Sequence, residues 1–212
     1  MKKLVLTTVI SLVFVLELSA QDDKTRPQLG VKGGVNFATV AGDDIDERDA
    51  RTSFNVGLLA EIPLTNRLSL QPEVLYSGQG FDIREIDQDN VFDTNDNVEY
   101  QLDYLQFPVL AKFYIIKGFY VEGGPQLGVK INEEIDTNPN NNDGDIPINA
   151  DDSYIRDFDA SAVIGTGYKF DNGFFVSGRF THGLTDMFKD DTPFQNVEAR
   201  NLVWQFGVGF MF

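Results

Sequence analysis

Three observations predict an all-β fold, an eight-stranded antiparallel up-and-down transmembrane β-barrel. Eight segments alternate apolar and polar residues with period two, short and long connections alternate between them, and charge gathers in the long connections. The chain has 212 residues, which favours one domain after removal of any leader. Its 17 Lys and Arg against 33 Asp and Glu disfavour a nucleic-acid partner, because phosphate backbones reward clustered cations. Cys is absent and His occurs once, so disulfides, thiolate metal sites and multi-His centres are excluded.

Residues 1–20 read as a cleaved signal peptide. Lys2 and Lys3 precede an apolar run from Leu4 to Leu16, and Leu18-Ser19-Ala20 offers small residues before Gln21. The run is short for a membrane anchor, and Glu17 closes it. Residues 21–212 form the expected barrel domain.

The first segment, 29–37, puts Leu29, Val31, Val35 and Phe37 on one face and Lys32 and Asn36 on the other. The second, 54–62, sets Phe54, Val56, Leu58 and Ile62 against Asn55 and Glu61. The third, 68–79, sets Leu68, Leu70, Val74 and Tyr76 against Gln71 and Glu73. The fourth, 105–113, and the fifth, 119–131, keep the pattern, with Lys112, Glu122 and Lys130 on their polar faces. The sixth, 158–170, and the seventh, 174–181, carry Asp159, Lys169 and Arg179 there. The eighth, 202–212, sets Leu202, Trp204, Phe206, Val208, Phe210 and Phe212 against Gln205 and two glycines. Pro72 and Pro108 interrupt this reading, since proline removes a ladder hydrogen bond, and a bulge is expected near each.

The connections around 63–67, 116–118 and 171–173 are short, and Asn172-Gly173 tolerates the positive φ of a hairpin turn. Those at 41–51, 82–99, 132–157 and 186–198 are long. The four long connections hold 24 acids and 5 bases, while the rest of the mature chain holds 8 acids and 10 bases. A body of nearly balanced charge with acidic loops at one end suits a wall that sits in lipid. The polar face, with Lys32, Glu61, Glu73, Lys112, Glu122, Lys130, Asp159, Lys169 and Arg179, then faces a side-chain-filled lumen as a charge network. Its many glycines fit the crowded interior of a small barrel. Aromatic side chains cluster near both ends of the segments, as interfacial girdles do.

Gly30-Val-Lys-Gly-Gly-Val-Asn-Phe37, Leu68-Ser-Leu-Gln-Pro-Glu-Val-Leu-Tyr-Ser-Gly-Gln-Gly80, Tyr104-Leu-Gln-Phe-Pro-Val-Leu-Ala-Lys-Phe113 and Tyr120-Val-Glu-Gly-Gly-Pro-Gln-Leu-Gly128 resemble the PorT-like outer-membrane β-barrel family of Bacteroidota. The resemblance implies an outer-membrane barrel over nearly all of the mature chain, and no particular chemistry. The family's name-giving member is linked to type IX secretion, a role that barrel motifs alone do not transfer. Phe210 and terminal Phe212 resemble the aromatic end by which barrel assembly machinery recognises its clients.

Candidate chemistry is sparse. The lone His182 has no neighbouring Ser nucleophile, so a rim position in the interface outweighs catalysis. Glu61 and Glu73 suit acid–base work less well than interior ion pairs with Lys32, Lys112, Lys130 and Arg179. The stretch from Asp136 through Asp143 to Asp145 is oxygen-rich without the order of a calcium loop, and Asp89 to Asp96 is similar. Weak divalent-cation binding is the alternative there to a solvated loop. No resident cofactor is expected. The expectation is a small non-enzymatic outer-membrane barrel with a structural or binding role. Its partners would be outer-membrane lipid, the assembly machinery and envelope or secretion proteins. The rival readings are a secretion or envelope-assembly accessory and a small porin.

Overall fold

The protein is described by a computed structural model over residues 26–42, 49–84, 97–136, 145–148, 153–189 and 199–212. The leader, Asp143 and the Asp89 to Asp96 stretch lie outside the described residues. The strands are β1 (Gln28–Ala41), β2 (Asp49–Pro63), β3 (Leu68–Arg84), β4 (Asn97–Tyr114), β5 (Phe119–Asp136), β6 (Asp145–Pro147), β7 (Phe158–Lys169), β8 (Phe174–Gly183) and β9 (Arg200–Met211). Every pairing is antiparallel. β1 pairs with both β2 and β9, and β4 pairs with β5, so eight strands close into a barrel and leave only the three-residue β6 outside the ring.

The alternation fixes which way each side chain points. Val35, Leu58 and Val208 are 44%, 64% and 51% exposed on the outside, whereas Lys112 and Arg179 are each 2% exposed on the inside. Tight turns at one end join β2 to β3, β4 to β5 and β7 to β8. Gly118 and Gly173 supply positive φ at two of these turns, and Asn172 instead accepts a hydrogen bond from Phe174 N through its side chain. Both β1 and β9 reach this end, through Gln28 and Met211.

The strands run further from the turns than hydropathy indicates. Residues 49–51, 82–84, 97–99, 132–136 and 145–147, read as loop from the sequence, are paired as strand. Beyond the bilayer neither face needs to be greasy, so the hydropathy alternation stops while the backbone ladder continues.

The expected bulges at Pro72 and Pro108 are absent. The β2–β3 register is the same at Leu59↔Glu73 and Ile62↔Leu70, on either side of Pro72. The β3–β4 register likewise continues from Pro72↔Val109 to Leu75↔Gln106, past Pro108. Each proline removes a donor locally without inserting a residue. The real irregularities lie further out. One falls in β2 between Ala50 and Asn55. In the other, Tyr104 pairs with Lys130 and Asp103 with Asn132, which leaves Ile131 as the extra residue of a β-bulge.

Candidate functional site: the barrel lumen

Arg179 on β8 reaches across the lumen. Its Nη1 and Nη2 donate to Glu73 Oε2 and Oε1 on β3 at 2.7 and 2.6 Å, and its Nε donates to Glu122 Oε1 on β5 at 2.6 Å. Such a planar fork holds a carboxylate with geometric precision that an ammonium cannot match. Gln71 Nε2 also donates to Glu73, and Lys32 Nζ on β1 lies 3.7 Å from Glu73 Oε2.

Local sequence makes this reach feasible. Gly165 on β7 is the cross-strand partner of both Glu122 and Arg179. A Cβ at Gly165 would sit 2.8 Å from Arg179 Cγ and 3.2 Å from Glu122 Oε1. The glycine is therefore the gap through which the guanidinium side chain passes to its carboxylate.

A second group lies nearer the turns and centres on Glu61. Its carboxylate accepts from Tyr114 Oη at 2.7 Å and Ser69 Oγ at 3.1 Å, and it pairs with Lys169 at 3.1 Å and Lys112 at 3.4 Å. Lys169 also donates to Gln28 Oε1 at 2.6 Å. The Lys112 ammonium rests 4.1 Å from the centre of the Tyr120 ring, a cation–π contact. Glu61 and Glu73 thus belong to different clusters, each neutralised by its own cations, and neither is poised as half of a carboxylate dyad.

Lys130 and Asp159 join neither group, so the expected pairing of Lys130 with Glu61 or Glu73 is corrected. The bulge at Ile131 resets the alternation, so that Lys130 and Glu133, three apart, both turn inward and pair. Lys130 Nζ also donates to Ser153 Oγ at 2.6 Å and to the Ile155 carbonyl at 3.0 Å. Tyr100 Oη completes the set by donating to Glu133. Asp159 accepts from Ser161 at 2.6 Å and Thr185 at 3.1 Å.

Between these levels the wall is neutral and polar. Asn36 Nδ2 donates to Ser77 Oγ at 3.0 Å and to the Gly78 carbonyl at 2.8 Å, and Asn55 Nδ2 donates to Asn36 Oδ1 at 2.6 Å. Gln79, Gln106, Gln126 and Gln205 are buried on the same inner face. Sequence reasoning placed these amides on the polar face but singled out only the charges. Their recurrence at inward positions of β3, β4, β5 and β9 was the available signal.

At the outer mouth, segments from two connections fold inward. Ile155 bridges to Phe188, Arg156 N donates to the Met187 carbonyl at 2.8 Å, and Lys189 N donates to the Tyr154 carbonyl at 2.9 Å. Ile155 and Met187 are buried with Val40, Phe81, Leu102, Tyr104 and Ala199 in one apolar cluster. No sequence pattern announced this lid, because its residues lie in long connections without periodicity.

The remaining candidates lie outside the lumen network. His182 faces outward on β8, its ring 6.4 Å from that of Phe180. Phe180 packs in turn against Trp204 at 4.8 Å. Asp136 ends β5 opposite Asp145 of β6, and its carboxylate accepts from Gln101 Nε2 at 3.3 Å. Among the described residues no group of three or more acids or His is placed to hold a metal. At the turn end Phe210 packs edge-on to Phe212, with ring centres 5.7 Å apart.

A closed antiparallel barrel with an apolar outside and ion-paired inside belongs to the class that crosses membranes by strands. The chain is a member of the outer membrane protein beta-barrel domain family, whose profile matches residues 19–189, and its place is the outer membrane. Among solved structures it is similar to Neisserial surface protein A. The two are 11% identical, with a TM-score of 0.55 over 87% of this chain and 97% of that one. The attachment invasion locus protein Ail of Yersinia pestis is 12% identical, with a TM-score of 0.47 over 87% of this chain and 98% of its own. OprG of Pseudomonas aeruginosa is 11% identical, with a TM-score of 0.43 over 89% and 97%. No curated protein matches the chain. The first of these likenesses supports the fold alone.

Proposed function

We propose that this protein is a non-enzymatic, side-chain-plugged barrel with a structural or binding role in the envelope, its acidic outer end turned to the exterior. The observation that carries the reading is the Glu73–Arg179–Glu122 bridge, which ties β3, β8 and β5 together across the lumen. The inward-folded lid at the outer mouth adds a second closure. The outward position of His182 beside Phe180 supports a rim role in place of catalysis. Purified protein reconstituted into planar bilayers should give no sustained conductance steps. Large stable channels would overturn the plugged lumen in favour of a porin.

The finer placement rests on sequence. The four stretches quoted above support a PorT-like barrel from the Bacteroidota, exported through a signal peptide cleaved before Gln21 and delivered through an assembly signal at Phe210 and Phe212. The acidic connections suit docking of cations or envelope partners, with no resident cofactor. Under the secretion-accessory alternative, deletion would change the set of exported proteins. An unchanged set would remove it.

A further inference from the structure

The turn end opens into a cavity of about 790 Å³, within the size range of small-molecule sites. Its charged lining is Arg67, Lys117 and Lys169 against Glu61 and Asp171. Both carboxylates are already committed. Glu61 is shared by Lys169 and by Lys112 behind it, and Asp171 pairs with Lys117 at 2.6 Å across two turns. That hydrogen bond, followed by the charge of Asp171, holds the Lys117 ammonium above its ordinary pKa. The Arg67 guanidinium has no side-chain partner among the described residues, and it is exposed at the cavity wall. A chain of net charge -16 therefore keeps a local surplus of positive charge inside a concave mouth, at the end opposite its acidic connections.

We infer that this vestibule binds an oxyanion, a carboxylate or phosphate group of a small solute, with Arg67 as the principal contact and Lys169 as the floor. A guanidinium fork matches either group in two-point geometry, and Lys169, held in place by Gln28 and Glu61, lines the same cavity. Pro63, Phe170 and Met211 add apolar contact to a wall that Gln28, Thr65, Asn66 and Asn172 otherwise keep polar. That the solute arrives from the periplasm rests on the orientation proposed above. A probe attached at Asn66 and read from intact cells tests that orientation separately.

The test titrates the full chain in detergent micelles with inorganic phosphate in one arm and N-acetylglutamate in the other, following backbone amide resonances of the three turns. Saturable shifts at Arg67, Gly118 and Gly173 are expected in at least one arm, and the responding arm identifies the group. Arg67→Gln, an exposed turn change that leaves the wall intact, should weaken binding about tenfold, as loss of a charge-assisted contact does. Arg200→Gln at the opposite end should leave it unchanged. Absence of shifts in both arms, or equal affinity in the Arg67→Gln protein, would overturn the site without touching the plugged-barrel reading.

Discussion

In the turn-side half of the lumen the closing groups are ionised and project from strands. In the outer half they are mainly amides, aromatics and aliphatics around one inward ion pair, Lys130–Glu133, and part of the closure comes from connecting segments. Arg179, Glu73, Glu122, Glu61, Lys32 and Lys112 all sit on barrel strands, where the ladder fixes their height. Ile155, Met187 and Phe188 lie outside the named strands and are held by a single β-bridge, a few backbone hydrogen bonds, and side-chain bonds from Lys130 Nζ to the Ile155 carbonyl and Arg156 Nε to the Phe188 carbonyl. The difference teaches that the same pore is sealed by two unequal means. One is locked to the wall and stands or falls with the fold, while the other can open locally and leave the barrel intact.

Substitutions can break this contrast or sharpen it. The largest effect is expected from Arg179→Met, which strips two buried carboxylates of their guanidinium. Removing one partner of a buried pair costs about 3–5 kcal/mol. Unfolding in urea, read from the heat-modifiable gel mobility of the barrel, measures it. The triple change Arg179→Met, Glu73→Gln, Glu122→Gln should recover much of the loss. A small effect for the single change would mean that the lumen does not depend on its ion pairs.

Gly165→Ala should come next. The new methyl group would press on Arg179 and on the Gly178 carbonyl, 2.9 Å away, so one of them must shift. Overpacking of this kind costs about 1–3 kcal/mol. The same unfolding assay should place it below Arg179→Met. Equality with the native chain would show that the guanidinium can take another path.

Ile155→Ala should have the smallest global effect. It removes the side chain around which the lid packs, yet the ladder beneath is untouched. Amide hydrogen exchange at Arg156 and Lys189 should accelerate while the unfolding midpoint stays within the scatter of neutral surface changes. A cooperative loss of the whole barrel would erase the distinction between the two closures.

How much of this was legible follows from where periodicity reigns. Within the bilayer one face must be apolar, so Leu58 and Glu61, or Val176 and Arg179, declare their sides by spacing alone. The two ion-paired clusters were readable as a single inward set, but their division was not. Which carboxylate meets which cation depends on strand stagger and on the gap at Gly165, and neither leaves a mark in hydropathy. Lys130 kept the side that parity gave it, but its partner Glu133 did not, because one extra residue, Ile131, resets the alternation beyond it. Pro72 and Pro108 misled in the opposite direction, since a missing donor was read as an inserted residue. Beyond the lipid the constraint on both faces lapses, so the outer continuations of β3, β4 and β5 passed for loop and the lid gave no signal.

The central claim is the inversion of inside and outside, and the chain, with no Cys of its own, suits a direct measurement. Single cysteines at Leu58, Val109, Val176 and Val208, and in turn at Ser161 and Ser177, would each carry a nitroxide label in lipid vesicles. The first four should collide freely with dissolved oxygen and show the mobility of lipid-facing sites, while the two serine positions should be immobile and shielded. Shielded labels at the first four, with mobile labels at Ser161 and Ser177 reached by a water-soluble nickel reagent, would contradict the account.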